Sequence, residues 1–560
     1  MRKNISAVLG TALRITMLSG LSEVWAAEAP ASASAPASAR PAFGAAPGPA
    51  MSGVPAWFGL LLPPAMSDPA TSVLDGPLDL PTIPPKFGPG PTSPILAGDK
   101  LKADLATIVG FSLKSKASGD YLWGRVAGTP AYYETVSWAV NSMKAGGVKN
   151  AHLEDFTTSL TIPTAGELRL IGDAAFGAGT KDIVLGSAMI EGAGPINGTV
   201  TAPMIFVGHA SEADLVGRDV KGKIAVLHSN PNPGLYSTDE VGRPAALIKA
   251  GAVGVIEILD QVGNMQSFDS DRHGCTPNLC VTIGGADGYF LENMLGKAAT
   301  AGKAVSAKLS STAAERTGLK VANGVATIPG KTDRTIIINA HADAWFVGGD
   351  DNGGGLAVAV ALAKYFATQP QPDHTLVFVI SSGHHTQARG LPQFRKTGDN
   401  EKKYVANADL IINLEHVASQ GMIRVMGPIP QDKPSFGRPT AWASTEWPKH
   451  VGVSNRAPFL IDIWKKGVTC FGLSVQRFVD TRNPGEPGAF NDLKDVPITS
   501  MISVGPLYQT SGEGVDAIPA EGLERAARFH AYMIKEADKA APGLLKGAAY
   551  NGNAACPQTP

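Results

Sequence analysis

The sequence predicts an α/β protein: a mostly parallel sheet flanked by helices, carrying a β-rich insert. Three observations predict it. Beyond residue 316, short β-branched runs alternate with apolar segments of helix length, the pattern of a parallel sheet covered on both faces. Four of those runs end in polar or ionisable residues, and open α/β sheets keep their chemistry at the carboxyl ends of strands. Between about 165 and 315 the texture changes to short β-like runs separated by Gly and Asn turns, without a catalytic cluster.

Residues 1–26 read as a signal peptide. Arg2 and Lys3 precede an apolar run from Ile5 to about Leu21, and Val24-Trp25-Ala26 fits a small-residue cleavage site. Arg14 and the short apolar length argue against a membrane anchor, and no other stretch is long and apolar enough to span a bilayer. The expectation is export, to a bacterial periplasm or beyond. Residues 27–97 form a linker and arm: Ala, Pro and Ser to about residue 50, then a Pro-rich extended stretch with Trp57 and Phe58.

Residues 98–164 open the main domain. An amphipathic helix over Tyr132–Ala145 stops at Gly146-Gly147, and a strand follows over Val148–Leu160. The insert, 165–315, carries strands at Thr201–Val207, Lys223–Leu227 and Val253–Ile258, with a helix over Arg243–Ala250. Its polar knot, Asp269, Asp271 and His273, reads as an exposed loop.

Residues 316–560 hold the rest of the main domain. Strand Thr335–Ala340 precedes His341-Ala342-Asp343, a Gly-rich turn with Asp350, Asp351 and Asn352, and a helix over 355–369. Strand Thr375–Ser382 precedes His384-His385, and strand Asp409–Leu414 leads into Glu415-His416. Strand Ile498–Val504 precedes Tyr508-Gln509-Thr510, and a last helix covers about 520–539.

With 17% charged residues and a net charge of -1, nothing suggests nucleic acid as a partner. The four cysteines are even in number in an exported chain, which fits disulfides; Cys275 with Cys280 and Cys470 with Cys556 are candidate pairs among three connectivities. No Gly-x-Ser-x-Gly elbow is present, so a serine hydrolase is disfavoured.

The repeated polar strand ends predict one shared site made of His341, Asp343, Asp351, His384, His385, Glu415 and Gln509. Imidazole beside carboxylate suits a divalent metal; the competing reading of the first turn is Asp and Asn capping the next helix.

The order of motifs resembles metallopeptidase family 28, the co-catalytic zinc aminopeptidases and glutamate carboxypeptidase relatives. The segment His341 to Asp351 is similar to that family's first metal motif. The insert resembles a protease-associated domain, through Val220-Lys-Gly-Lys-Ile-Ala-Val226 and Ala245-Ala-Leu-Ile-Lys-Ala-Gly-Ala-Val-Gly-Val255. Gly124-Arg125 with Gly128-Thr129 also fits.

The resemblance implies a zinc-peptidase-like fold and one zinc held by His341, Asp351 and Glu415. Asp343 would orient the histidine ligand and Tyr508 would steady an oxyanion. The departures fall around the second zinc. The family's Glu-Glu pair, a general base and then a ligand, is replaced by His384-His385. Its last histidine ligand is replaced by Gln509. His384 is then a candidate base, His385 a candidate ligand, and Gln509 a weak ligand or none.

The implied function is a secreted zinc-dependent hydrolase cleaving a peptide or amide-like bond with a single metal. The alternative is a catalytically degenerate scaffold that binds partners. A peptide or small amide is the expected substrate, and a second copy of the chain is a candidate partner.

Overall fold

The run Thr-Ile-Ile-Ile-Asn-Ala-His over residues 335–341 is buried along its whole length. β-Branched side chains suit a pleated surface, and a strand covered on both faces has no polar side to alternate. This strand lies inside the main sheet and the site is built on its end.

The computed structural model describes residues 90–560 apart from 192–196, 230–241, 260–262, 269–274, 276, 387–388, 426–440, 447–448, 480–485, 503–506, 553–554 and 558–560. The expected signal peptide, the linker, most of the arm and the knot of Asp269, Asp271 and His273 lie outside the described residues.

The principal elements open with α1 (Gly98–Ala117), β1 (Gly124–Arg125), α2 (Pro130–Ala145) and β2 (His152–Leu170). Then come β3 (Gly198–Phe206), β4 (Ile224–Ser229), α3 (Arg243–Lys249), β5 (Gly254–Leu259), β6 (Leu279–Ile283), α4 (Gly285–Thr300) and β7 (Ser306–Ile328). The site-bearing part follows with β8 (Thr335–His341), β9 (Ala344–Trp345), α5 (Gly355–Ala367), β10 (Thr375–Ser381) and β11 (Ala408–Leu414). The chain closes with β12 (Lys449–Val453), α6 (Pro458–Phe471), β13 (Val475–Val479), β14 (Ile498–Ile502) and α7 (Ala520–Lys539).

The principal strands lie in one sheet in the order β13-β12-β14-β11-β8-β10-β7-β3-β4-β5-β6. β8 is parallel to both β10 and β11, and β11 is parallel to β14. The carboxyl ends of these four strands therefore open on one edge. The strand expected over 148–160 runs on to Leu170, because β2 stays paired with β7 from His152 opposite Val325 to Leu170 opposite Ala307. These two long strands carry the sheet from the main core into the 165–315 stretch. That stretch packs around its own buried cluster, including Leu168, Ile224, Ile256, Val281 and Leu309.

Helix α5 is apolar on nearly all sides and almost wholly buried between the sheet and α1, α2 and α7. Disulfides join Cys275 to Cys280 and Cys470 to Cys556; the second ties the C-terminal tail to α6. Among the described residues, no helix is long and apolar enough to cross a membrane.

His530 on α7 is fully buried and donates from Nδ1 to the Ala526 carbonyl at 2.7 Å. Burial, helped by the Lys449 charge, lowers its pKa to about 4 against that hydrogen bond. A lowered histidine pKa means that the unfolded chain takes up the proton first. The contribution is therefore whole above pH 6.5 and is lost as pH falls towards 4. At 1.36 kcal/mol per unit this amounts to roughly 3 kcal/mol. Denaturant unfolding at pH 7 and pH 4 should show His530→Gln losing less stability than wild type by about that amount; equal losses would contradict it.

Candidate metal centre

His341 ends β8, and its ring is completely buried. The chain then turns through β9, which pairs antiparallel with β1, Gly124 opposite Trp345 and Arg125 opposite Ala344. Arg125 organises this loop. Its buried guanidinium donates Nε to the Ala342 carbonyl (2.9 Å), Nη1 to the Val347 carbonyl (3.0 Å) and to Ser112 Oγ (2.9 Å), and Nη2 to the Gly348 carbonyl (2.9 Å).

Gly348 takes a left-handed φ of 58°, and a Cβ there would lie 2.2 Å from that of Ala344. Only glycine lets the loop close on Arg125 and bring Asp351 beneath His341. Gly355 starts α5 where a Cβ would meet the Leu414 carbonyl at 2.4 Å, so the helix can approach the end of β11 closely.

Five of the expected residues meet at this edge. His341 Nε2 stands 3.0 Å from Asp351 Oδ1 and 3.3 Å from Glu415 Oε1. His384 Nε2 is 3.4 Å from the same Glu415 oxygen, and His385 Nε2 is 3.2 Å from Asp351 Oδ2. None of His341 Nε2, both Asp351 oxygens, Glu415 Oε1 and His385 Nε2 makes a hydrogen bond, although all are buried. Buried polar atoms left without partners are costly unless something else satisfies them.

Among the described residues, two triplets have ligand atoms mutually within 4.8 Å: His341, Asp351 and His385, and His341, His384 and Glu415. Zinc bonds of about 2.0–2.1 Å in a tetrahedron separate ligand atoms by roughly 3.3 Å. The 3.0–3.4 Å spacings here match that edge. The donor set, its spacing and its orphaned lone pairs fit a divalent metal.

The surrounding groups aim these atoms. His341 Nδ1 meets the Asp343 carbonyl at 3.0 Å, with the Asp343 carboxylate farther away at 3.6 Å. That carboxylate instead accepts the backbone N–H groups of His384 (3.1 Å) and His385 (3.0 Å), so Asp343 fixes the histidine pair as well as His341. Gln509 and Tyr508 lie beside His385: the Gln509 amide nitrogen is 3.3 Å from His385 Nδ1 and 2.9 Å from Tyr508 Oη.

Several contributors escaped the sequence reading. His416 directly follows Glu415, has a left-handed φ of 49° and brings Nε2 to 3.2 Å from Asp351 Oδ1. Its position at a polar strand end was the available signal. Asn413 Nδ2 donates to Glu415 Oε2 at 2.7 Å, leaving Oε1 facing the cluster. Asn339, its neighbour across the strands, donates to Asn413 Oδ1 (2.7 Å) and to the buried Glu486 (3.0 Å). Glu513 accepts the N–H of Asp351 at 3.1 Å. No local motif marks Glu486 or Glu513, which arrive from distant loops.

Without a metal, charge is shared among these side chains. Burial works against ionising Asp351, yet His385 and His416 hold its carboxyl well below the usual range. Glu415, also opposed by burial, is brought down to about 2 by His384 and His341. Burial disfavours a charged His416, but Asp350 and Asp351 outweigh it and raise the pKa to about 9. His384 falls to about 4 through burial and the neighbouring His341 charge, so its ring is neutral at pH 7. Burial lifts Glu486 to about 8, leaving it protonated there.

Arg125→Met should strip the Ala342 carbonyl of its donor and take one donor each from the Val347 and Gly348 carbonyls, which keep Ser112 Oγ–H and Gly353 N–H, at a cost of about 1–3 kcal/mol. Denaturant unfolding measures it; a loss under about 1 kcal/mol would mean that the loop holds itself.

Residues 323–456 match the sequence profile of peptidase family M28. No curated protein matches the chain. The fold is shared with a peptidase M28 precursor from Shewanella amazonensis, 17% identical, covering 79% of this chain and 96% of that one at a TM-score of 0.54. It is shared also with a zinc aminopeptidase from Bacillus subtilis, 17% identical, covering 80% and 98% at a TM-score of 0.51. The segment that matches the family M28 profile contains His341, Asp351, His384, His385 and Glu415.

Proposed function

We propose that this chain is an exported zinc-dependent hydrolase that cleaves a peptide or amide-like bond. The observation that carries the reading is the buried set of imidazole and carboxylate atoms at one sheet edge, spaced for a metal and without hydrogen bonds of their own. The family profile supports a peptidase, and the zinc named for the Bacillus subtilis neighbour supports that metal. His341 would hold the ion, with Asp351 and His385 or with His384 and Glu415 completing a triplet; Asp351 and Glu415, expected together beside His341, fall in different triplets.

A divalent metal held there supplies Lewis acidity toward a carbonyl oxygen and toward water. The chain's own groups do the rest. Asn413 and Asp343 keep Glu415 and the histidine pair aimed. His384, neutral at pH 7 with its Nδ1 unpaired, accepts a proton from water. Tyr508, half-buried at the rim, offers its hydroxyl to a developing oxyanion. The phenyl ring of Phe268 packs on Trp345 at 5.1 Å, and Trp345 packs on His385 at 5.3 Å, forming an apolar wall that keeps water off the cluster.

The same reading takes residues 1–26 as a signal peptide and residues 165–315 as a protease-associated insert. It leaves room for a homodimer.

Protein purified without chelator should hold about one divalent metal per chain by elemental analysis. His341→Ala should lose it, and kcat/KM on a peptide library should fall by roughly a thousandfold or more. Metal-free wild type that hydrolyses nothing would point instead to a binding protein on a peptidase scaffold.

A further inference from the structure

Gln509, which the resemblance puts in the place of a ligand, turns its amide nitrogen to its neighbours. Its amide end is shared between His385 Nδ1, at 3.3 Å, and Tyr508 Oη, at 2.9 Å. The residue is buried and has a left-handed φ of 54°. A non-glycine residue held there costs on the order of 1–2 kcal/mol, so its surroundings must hold it. They do. The Gln509 N–H donates to Glu513 Oε1, and the Gln509 carbonyl accepts the Phe268 N–H at 3.4 Å. Beside it, Ser267 and Thr510 form an antiparallel bridge, and Gln266 and Ser511 exchange hydrogen bonds. A segment from the 165–315 stretch thus straps the Gln509 loop in place.

From this geometry we infer that Gln509 is a positioning residue for His385, acting through a side-chain amide that can present either end. The inference rests on reading the cluster as a metal centre. His385 Nε2 faces Asp351 Oδ2 with no hydrogen bond, while Nδ1 faces Gln509. An imidazole that gives the Nε2 lone pair to a metal keeps its proton on Nδ1, and that N–H needs an acceptor. Rotating the Gln509 amide by half a turn puts Oε1 where the nitrogen stands. That oxygen then accepts from His385 Nδ1–H and, with no substrate bound, from the Tyr508 hydroxyl. In the metal-free protein the amide nitrogen donates to His385 Nδ1 instead. Gln509 therefore supports the metal from behind a ligand, through an acceptor that carries no charge of its own.

The test is zinc binding to the chelator-stripped protein by calorimetry, with the visible spectrum of the cobalt(II) form as a second readout. His385→Ala identifies the binding that depends on His385. Gln509→Leu, which removes both amide ends, should weaken that binding by about 10–100-fold and alter the cobalt spectrum. Gln509→Glu, which keeps the acceptor, should restore affinity to wild-type level or above. Thermal unfolding of the stripped variants checks that the fold is intact. If His385→Ala weakens zinc binding and Gln509→Leu does not, the inference fails while the metal centre stands. If His385→Ala changes nothing while wild type binds zinc, His385 is no ligand and the inference fails again. If wild type binds no zinc, the metal reading falls and takes the inference with it.

Discussion

The Asp351 carboxylate is shut away from bulk solvent. It is 2% exposed, and three imidazoles, from His341, His385 and His416, approach its oxygens at 3.0–3.2 Å. A buried carboxylate persists only where opposite charge or a metal compensates its desolvation. Each imidazole comes from a different place: the end of β8, the turn after β10 and the turn after β11. Parallel pairing of β8 with both neighbours is what brings those ends together. The requirement to compensate one carboxylate thus reaches back to the register of the sheet.

That requirement also explains the support behind the ligands. Arg125 fixes the loop that joins His341 to Asp351, through carbonyls rather than carboxylates, so its charge stays outside the donor set. Asn339 and Asn413, opposite one another across β8 and β11, pass a hydrogen-bond chain from Glu486 to Glu415. Amides suit this task because they fix direction without adding charge to a crowded site.

The sheet and most of the cluster were legible in the sequence for one reason. Buried parallel strands read as β-branched runs, and their polar ends fall in loops whose position the topology dictates. His341, Asp351, His384, His385 and Glu415 all follow such runs. His416 follows one too, but a residue beside an expected ligand gives no sign of turning inward until its left-handed backbone is seen. Glu486 and Glu513 were not legible, because a lone glutamate in a loop is usually solvated and only tertiary packing buries it. The extension of β2 was hidden for a similar reason. Its later residues alternate irregularly between buried and exposed, and their long pairing with β7 is a non-local fact.

The charges in the cluster have one electrostatic consequence. Two ionised carboxylates, Asp351 and Glu415, face His384, which is neutral at pH 7, and His416, which carries a proton there. Positive charge added at this buried site has to be met by anions. Two carboxyls nearby could answer it. Burial, with Asp351 adding to it, holds Asp350 up at about 6. Burial, with Asp350 and Asp351 adding to it, holds Glu513 well above the usual carboxylate range. Both are restrained by mutual repulsion in an anion-rich pocket, and an added cation relieves that repulsion. At pH 7 Asp350 is therefore largely ionised, in keeping with the raised pKa of His416, while Glu513 gives up its proton less readily than an ordinary carboxyl.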